Sequence, residues 1–338
     1  MYKTIIRPFL FLFKPETAHY LTFFLLKLIN AIPVGNAWVS KIVTKPKKRT
    51  SVFGIDFPNP VGLAAGLDKE AEAFDTLGAM GFGFVEIGTL TPKAQPGNPS
   101  PRLFRVIKDK ALINRMGFNN KGVQSAVSNL RKKKTNIIVG GNIGKNKGTP
   151  NNKAVEDYTK NFNALFDYVD YFAINLSSPN TPNLRELQEK DALKKILSSL
   201  VNLNNHKAKR KPLLLKIAPD LSEEQLDDII SIVTDLKIDG IIAVNTTISR
   251  NNLSLPNIKI EAIGAGGLSG MPLRERSTEI IRYITKKTQG EIPIIASGGI
   301  MSAEDAKEKI DAGASLIQLY TGFIYEGPAL IKKIVKAL

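Results

Sequence analysis

The sequence predicts an α/β protein: a (β/α)8 TIM barrel preceded by a small helical segment. Eight short, nearly continuous apolar runs alternate with helix-like stretches, and the residues just after those runs are nearly all polar or glycine. Strands buried on both faces read as unbroken apolar runs, and strands alternating with helices build a parallel sheet. Closing the eight on themselves is the simplest arrangement, and a doubly wound open sheet is the alternative. A length of 338 residues with 43% apolar content suits one large barrel, typically ~250 residues, plus an appendage.

The first element is the appendage. Apolar stretches "IIRPFLFLF" (5–13) and "YLTFFLLKLINAI" (20–32) are separated by Lys14, Pro15, Glu16 and His19. Neither reaches the roughly 20 apolar residues of a membrane span, and no small-residue cleavage site follows, which argues against a secretory leader. Pro15 suits the first turn of a helix starting near Glu16. From Tyr20 to Ile29 that helix is apolar around most of its circumference, so one face can pack on the main domain. The other face meets either more of the chain or a membrane surface. Residues 1–50 hold nine Lys or Arg and one acid, half of the chain's net +16, which favours an anionic membrane face. "TKPKKRT" (44–50) reads as a basic linker, dividing a segment 1–45 from a domain 46–338.

The strands follow in order: "VGLAAG" (61–66), "FGFVEIGTL" (82–90), "NIIVGGNIG" (136–144), "YFAINLSS" (171–178), "PLLLKIAP" (212–219), "GIIAVNTT" (240–247), "PIIASGGI" (293–300) and "SLIQLYTG" (315–322). Between them, "SEEQLDDIISIVTDL" and "SAEDAKEKIDAGA" open with a serine cap and an acidic first turn, the signature of a helix start. "PRLFRVIKDKALINRMG" (101–117) reads as two extended pieces around Lys108–Lys110, a hairpin over the barrel mouth.

Barrel chemistry gathers at the carboxyl ends of the strands. Those ends carry Lys69, Thr89, Asn142, Asn175 with Ser178, Lys216, Asn245 with Thr246, Gly298–Gly299 and Tyr320–Thr321. Asparagine and lysine with few acids point to an anionic or amide-rich ligand, and no carboxylate or histidine cluster suggests a metal. The absence of cysteine excludes disulfides, thiolate metal sites and cysteine nucleophiles. "GGLSG" (266–270), "SGG" (297–299) and "YTG" (320–322) read as glycine loops suited to a phosphate. In "NLSSPNTP" (175–182) the prolines stop regular structure and leave a displayed set of hydrogen-bonding groups. Glu86, in mid-strand, reads as a buried structural carboxylate paired with a lysine.

"AAGLDKE" (64–70), "LINRMGFNN" (112–120), "GNIGKNK" (141–147), "INLSSPNTPNLREL" (174–187) and "KIAPDLSEEQL" (216–226) resemble the dihydroorotate dehydrogenases, FMN-dependent barrels of pyrimidine synthesis. The resemblance spans essentially the whole chain. "KPETAH" (14–19) before an apolar helix looks like the class 2 branch, which is membrane-associated, quinone-reducing and commonly monomeric. It implies that a proton leaves C5 of dihydroorotate while a hydride passes from C6 to FMN. Class 1 enzymes use a cysteine base, and class 2 relatives use a serine at the position of Ser178. A serine is a weak base unless its proton can leave, and Thr181 or a water is the expected relay.

The same resemblance places Lys69, Asn114, Arg115, Met116, Gly117, Phe118, Asn175, Asn180, Asn245 and Thr246 around the pyrimidine. A primary amide is both donor and acceptor, matching the edge of a cyclic ureide. For FMN it implies Ala65, Gly66, Leu67, Asp68, Lys69, Thr89, Asn142, Asn175, Lys216, Val244, Gly270, Gly299, Tyr320 and Thr321. Lys216 would face the N1–O2 side of the flavin. Gly270, Gly299, Tyr320 and Thr321 would hold the phosphate end. Val244 stands where threonine is the family's residue, so its contact would be through backbone. His19 and Arg105 are placed near a lipid quinone entering between the N-terminal helices, on the cytoplasmic side of the cell membrane. An FMN-dependent tRNA dihydrouridine synthase and a noncatalytic basic membrane-surface protein are the rival readings. The first would need a cysteine acid and an RNA-binding helical domain, and no nucleic-acid partner is expected. The second would not need amides at strand ends.

Overall fold

The computed structural model describes residues 1–43, 48–251 and 253–338. Each of the eight apolar runs holds one strand: β1 (Val61–Leu63), β2 (Phe84–Leu90), β3 (Ile138–Ile143), β4 (Tyr171–Asn175), β5 (Leu213–Ile217), β6 (Gly240–Ala243), β7 (Ile294–Ser297) and β8 (Leu316–Leu319). They pair in parallel in chain order, and β8 closes on β1 with Ile317 to Leu319 opposite Val61 to Leu63. Closure excludes the open sheet. All eight strands are buried along their length. Most of the apolar runs continue past the strand into the rim, while the run 82–90 ends with its strand at Leu90.

The intervening helices start where the sequence says. Ser222 accepts from the backbone of Gln225, whose side chain returns the bond, and helix Glu223–Asp235 then buries Leu226, Ile229, Ile232 and Val233. Ser302 caps helix Ala303–Asp311 through Asp305 N. Each cap is worth about 1 kcal/mol.

The two ends of the barrel differ. At the amino end a short antiparallel hairpin, Thr50–Val52 with Ile55–Phe57, lies across the opening. Its Phe57 packs edge-on to Phe84 at 5.1 Å between centroids, in one buried cluster with Tyr171, Leu214, Ile242, Ile295 and Leu316. At the carboxyl end the expected hairpin is present, Leu103–Val106 with Ala111–Asn114. A third strand, Gly267–Gly270, adds to it antiparallel. This corrects the reading of residues 266–270 as a loop: Gly267–Gly270 is a strand, whose Gly270 still lines the cavity. It is glycine-rich because a side chain at Gly267 would lie 2.0 Å from Thr246 Oγ1.

The N-terminal segment comprises Tyr2–Ile6, Arg7–Phe11, Pro15–Ala31 and Gly35–Val43, so two expected helices become four helical pieces. Pro15 does open its helix. Phe23 and Leu26 join the main core. Tyr2 Oη donates to the Ile324 carbonyl at 2.6 Å, and Arg102 meets Glu16 at 2.7 Å. Burial alone would raise the Glu16 carboxyl, but the Arg102 hydrogen bonds hold it below its ordinary range. The opposite face leaves Phe24, Leu28, Trp38 and Ile42 each about half exposed or more. No single helix among the described residues is long and apolar enough to cross a membrane. Pro15–Ala31 and Gly35–Val43 reach that length only together, bent by 111°. The basic linker and the 45/46 boundary fall largely on Thr44 to Lys47, outside the described residues.

Candidate active site

The strand ends enclose one cavity, and most of the predicted residues line it. Ala65, Gly66 and Lys69 come from the segment after β1, and Thr89 from β2. Asn175 ends β4 and Ser178 and Asn180 follow it, Lys216 stands on β5, and Val244, Asn245 and Thr246 follow β6. Gly270, Gly299, Tyr320 and Thr321 close the far side, and Asn114, Met116, Gly117 and Phe118 cover it from the hairpin. Burial pulls the Lys69 ammonium down to about 8, with the nearby Arg102 cation adding to the effect.

Six predicted residues do not line the cavity. Asn142 lies fully buried behind Thr89. Leu67 packs into the core, and the Asp68 carboxylate accepts the backbone N–H groups of Glu72 (2.8 Å) and Ala73 (2.9 Å), holding the turn after β1. Burial pushes that carboxyl up to about 6. Arg115 turns outward, donating to the Ile263 and Ala265 carbonyls and lying over the Phe104 ring. Arg105 donates to the Phe13 carbonyl at 2.8 Å and lies over Phe11, fastening the first N-terminal piece. His19 sits against Phe23 with ring centroids 4.5 Å apart. Burial, reinforced by the Lys69 cation, pulls it down to about 3, so it is neutral at physiological pH.

Behind the wall, Glu86 is fully buried, as expected, with Lys216 Nζ 3.6 Å away. It also accepts from Asn142 Nδ2 (2.8 Å), Tyr171 Oη (3.1 Å) and Gln318 Nε2 (2.7 Å). Burial, then the Glu86 charge, raise the Tyr171 phenol well above its ordinary value, so it stays a donor.

The loop after β4 presents Ser178 at the cavity, its Oγ accepting from Asn180 N at 3.3 Å. Thr181 Oγ1, three residues on, is buried with no hydrogen-bond partner among the described residues. Asn180 Nδ2 donates to Asn114 Oδ1 at 3.0 Å, tying loop to hairpin. Asn98 adds a second tie, giving Nδ2 to the carbonyls of Arg115 (3.1 Å) and Asn180 (3.0 Å). Phe118 is held at φ +54°, a costly conformation for a bulky residue. Its carbonyl accepts from Gln95 Nε2 (3.0 Å) and Asn120 Nδ2 (2.7 Å), which keep it there.

Sequence reasoning missed Ser269, Leu273, Ser297, Ile300, Met301 and Gln318 in the lining. Gln318 gave a signal as a polar residue inside an apolar strand, and Ser269 and Ser297 stand in the glycine segments 266–270 and 297–299. The supports Gln95, Asn98 and Asn120 gave none, since isolated amides in a long loop read as solvated.

A parallel barrel with chemistry confined to its carboxyl rim defines a (β/α)8-barrel enzyme. The family model "Dihydroorotate dehydrogenase" matches residues 48–338, and the chain belongs to that family. A dihydroorotate dehydrogenase (quinone) of Christiangramia forsetii is 59% identical over 99% of this chain and 97% of its own. One from Idiomarina loihiensis is 48% identical over 99% of each. The crystal structure of the Eimeria tenella enzyme in complex with ferulenol superposes with TM-score 0.83 at 37% identity, covering 96% of this chain and 90% of that one.

The family implies a flavin, and the cavity fits one. Gln318 Oε1 is buried at the lining without a partner among the described residues, an acceptor left for a ring N–H. Gly299, at φ +74°, has no room for a side chain, since a Cβ would lie 2.2 Å from Arg274 Cα. Backbone is thus brought to the cavity where a phosphate needs N–H donors. Lys216 supplies a cation from the barrel interior.

Proposed function

We propose that this chain oxidises dihydroorotate to orotate in pyrimidine biosynthesis, with FMN as the flavin and a membrane quinone as final acceptor. The observation that carries it is Ser178 at the wall of a cavity lined by four asparagines, glycines and Lys216, in a chain with no cysteine. Bound there, FMN would supply a two-electron acceptor between the substrate and the quinone. Gly270, Gly299, Tyr320 and Thr321 hold its phosphate end, and Thr89, Asn175 and Lys216 its ring.

Ser178 removes the C5 proton, and the buried, unpartnered Thr181 hydroxyl supports its role as the relay. Asn114, Asn175, Asn180 and Asn245 hold the ureide edge, and Lys69 meets the substrate carboxylate. Phe118 and the hairpin cover the cavity from above. The exposed apolar face of the N-terminal helices supports residues 1–45 as the quinone and membrane segment, with His19 and Arg105 near the quinone and the protein peripheral, cytoplasmic-side and monomeric. Anaerobic mixing with dihydroorotate tests the reading: the flavin band should bleach, then recover on adding a quinone but not NAD. An unbleached band would reject it.

A further inference from the structure

The buried carboxylate of Glu86 has a consequence at the cavity wall. Four donors converge on it: Asn142 Nδ2, Tyr171 Oη, Gln318 Nε2 and the Lys216 ammonium. A carboxylate, which accepts at about four positions, suits that set. Because Asn142 gives its Nδ2 to Glu86, its Oδ1 must face the other way, and it accepts Thr89 Oγ1 at 2.5 Å. The Thr89 oxygen is then free to accept Asn175 Nδ2 at 2.9 Å. Asn175 Oδ1 in turn accepts Asn245 Nδ2 at 3.3 Å and Ser177 Oγ at 3.2 Å. The direction of every bond in this string follows from its buried end.

We propose that Glu86 is a positioning residue that fixes the donor–acceptor polarity of the substrate-binding amides Asn175 and Asn245 through Asn142 and Thr89. An amide reads the same in shape when flipped and the opposite in hydrogen bonding. A site built from amides therefore needs something that cannot flip, and a carboxylate meeting only donors is such a group. The string ends at Ser177, next to Ser178, so the loop carrying the proposed base is seated on it as well.

The inference rests on orotate being the product, and the experiment separates the two. Wild-type protein is first shown to bind orotate by calorimetry and to bleach with dihydroorotate; failure there rejects the function. Glu86→Gln keeps the shape but brings an N–H₂ to a point where four donors already meet. Orotate affinity should fall at least about tenfold as the amides lose their orientation. The double variant Glu86→Gln with Asn142→Asp moves the charge one link along the string. The amide introduced at position 86 can then donate to the carboxylate introduced at position 142, which still accepts from Thr89 and Asn175. Orotate affinity should recover over that of the single variant. If Glu86→Gln does not fold, Thr89→Val removes the shorter of the two links between Asn142 and Asn175, leaving the direct Asn175 Nδ2 to Asn142 Oδ1 bond at 3.2 Å and all four Glu86 donors in place. It should weaken orotate binding measurably. Wild-type affinity in Glu86→Gln or in Thr89→Val, or a double variant no better than the single, would overturn the proposal.

Discussion

Arg185 donates Nε to the carbonyl of Ser177 at 3.1 Å, one residue before the proposed base. Its two other nitrogens reach Asp220 at 2.8 Å and the Thr246 carbonyl at 2.9 Å. One planar guanidinium thus locks the loop after β4 to the loops after β5 and β6. Arg185→Met should retain flavin but slow its reduction by dihydroorotate by about 10²-fold, the scale of a small misplacement of a catalytic group. Stopped-flow absorbance reads this, and an unchanged rate would show that other ties suffice.

Ser178→Ala removes the proposed base from a wall that otherwise stays intact. Flavin reduction should fall about 10²–10⁴-fold while orotate still binds. Near-normal single-turnover reduction would assign the proton to another group.

Lys69 makes substrate binding depend on pH. Burial brings its ammonium down to about 8, so Lys69 is cationic below that pH and neutral above it in the free site. An anionic ligand favours the cation, so orotate affinity should decline as pH rises through about 8. Lys69→Met should bind more weakly below that pH and show no such decline. Affinity that is flat in pH for wild-type protein would remove Lys69 from contact with the carboxylate.

Gly299→Ala places a Cβ 2.2 Å from the Arg274 backbone and strains a left-handed residue. It should cost about 1–3 kcal/mol of stability and lower the flavin content of purified protein. Thermal denaturation and the ratio of flavin to protein absorbance measure the two effects.

Removing residues 1–43 takes away the exposed face of Phe24, Leu28, Trp38 and Ile42. Quinone-linked turnover and co-sedimentation with anionic vesicles should be lost, while flavin reduction by dihydroorotate remains measurable. Full quinone activity in the truncated protein would detach the segment from the quinone.

The barrel was legible because fully buried strands cannot hide their composition, and Ser222 and Ser302 marked helix starts by cap chemistry that is local. Polar groups directly after each strand were readable for the same reason: register puts them on the rim. The side-chain directions of Arg115 and Asp68 were not legible, because spacing says that a residue is near a cavity, not which way it points. The Gly267–Gly270 strand was hidden by its glycines, whose small size serves a close approach to Thr246 that no local pattern reveals. The Arg185 clamp depends on carbonyls brought together from three loops, information that exists only after folding.

The Phe57 hairpin leaves this barrel a cul-de-sac. With one end corked by packed aromatics, substrate and product can pass only by the carboxyl rim, where Arg185 ties three loops together. Traffic is therefore one molecule at a time, and orotate that lingers is a competitor of the next dihydroorotate.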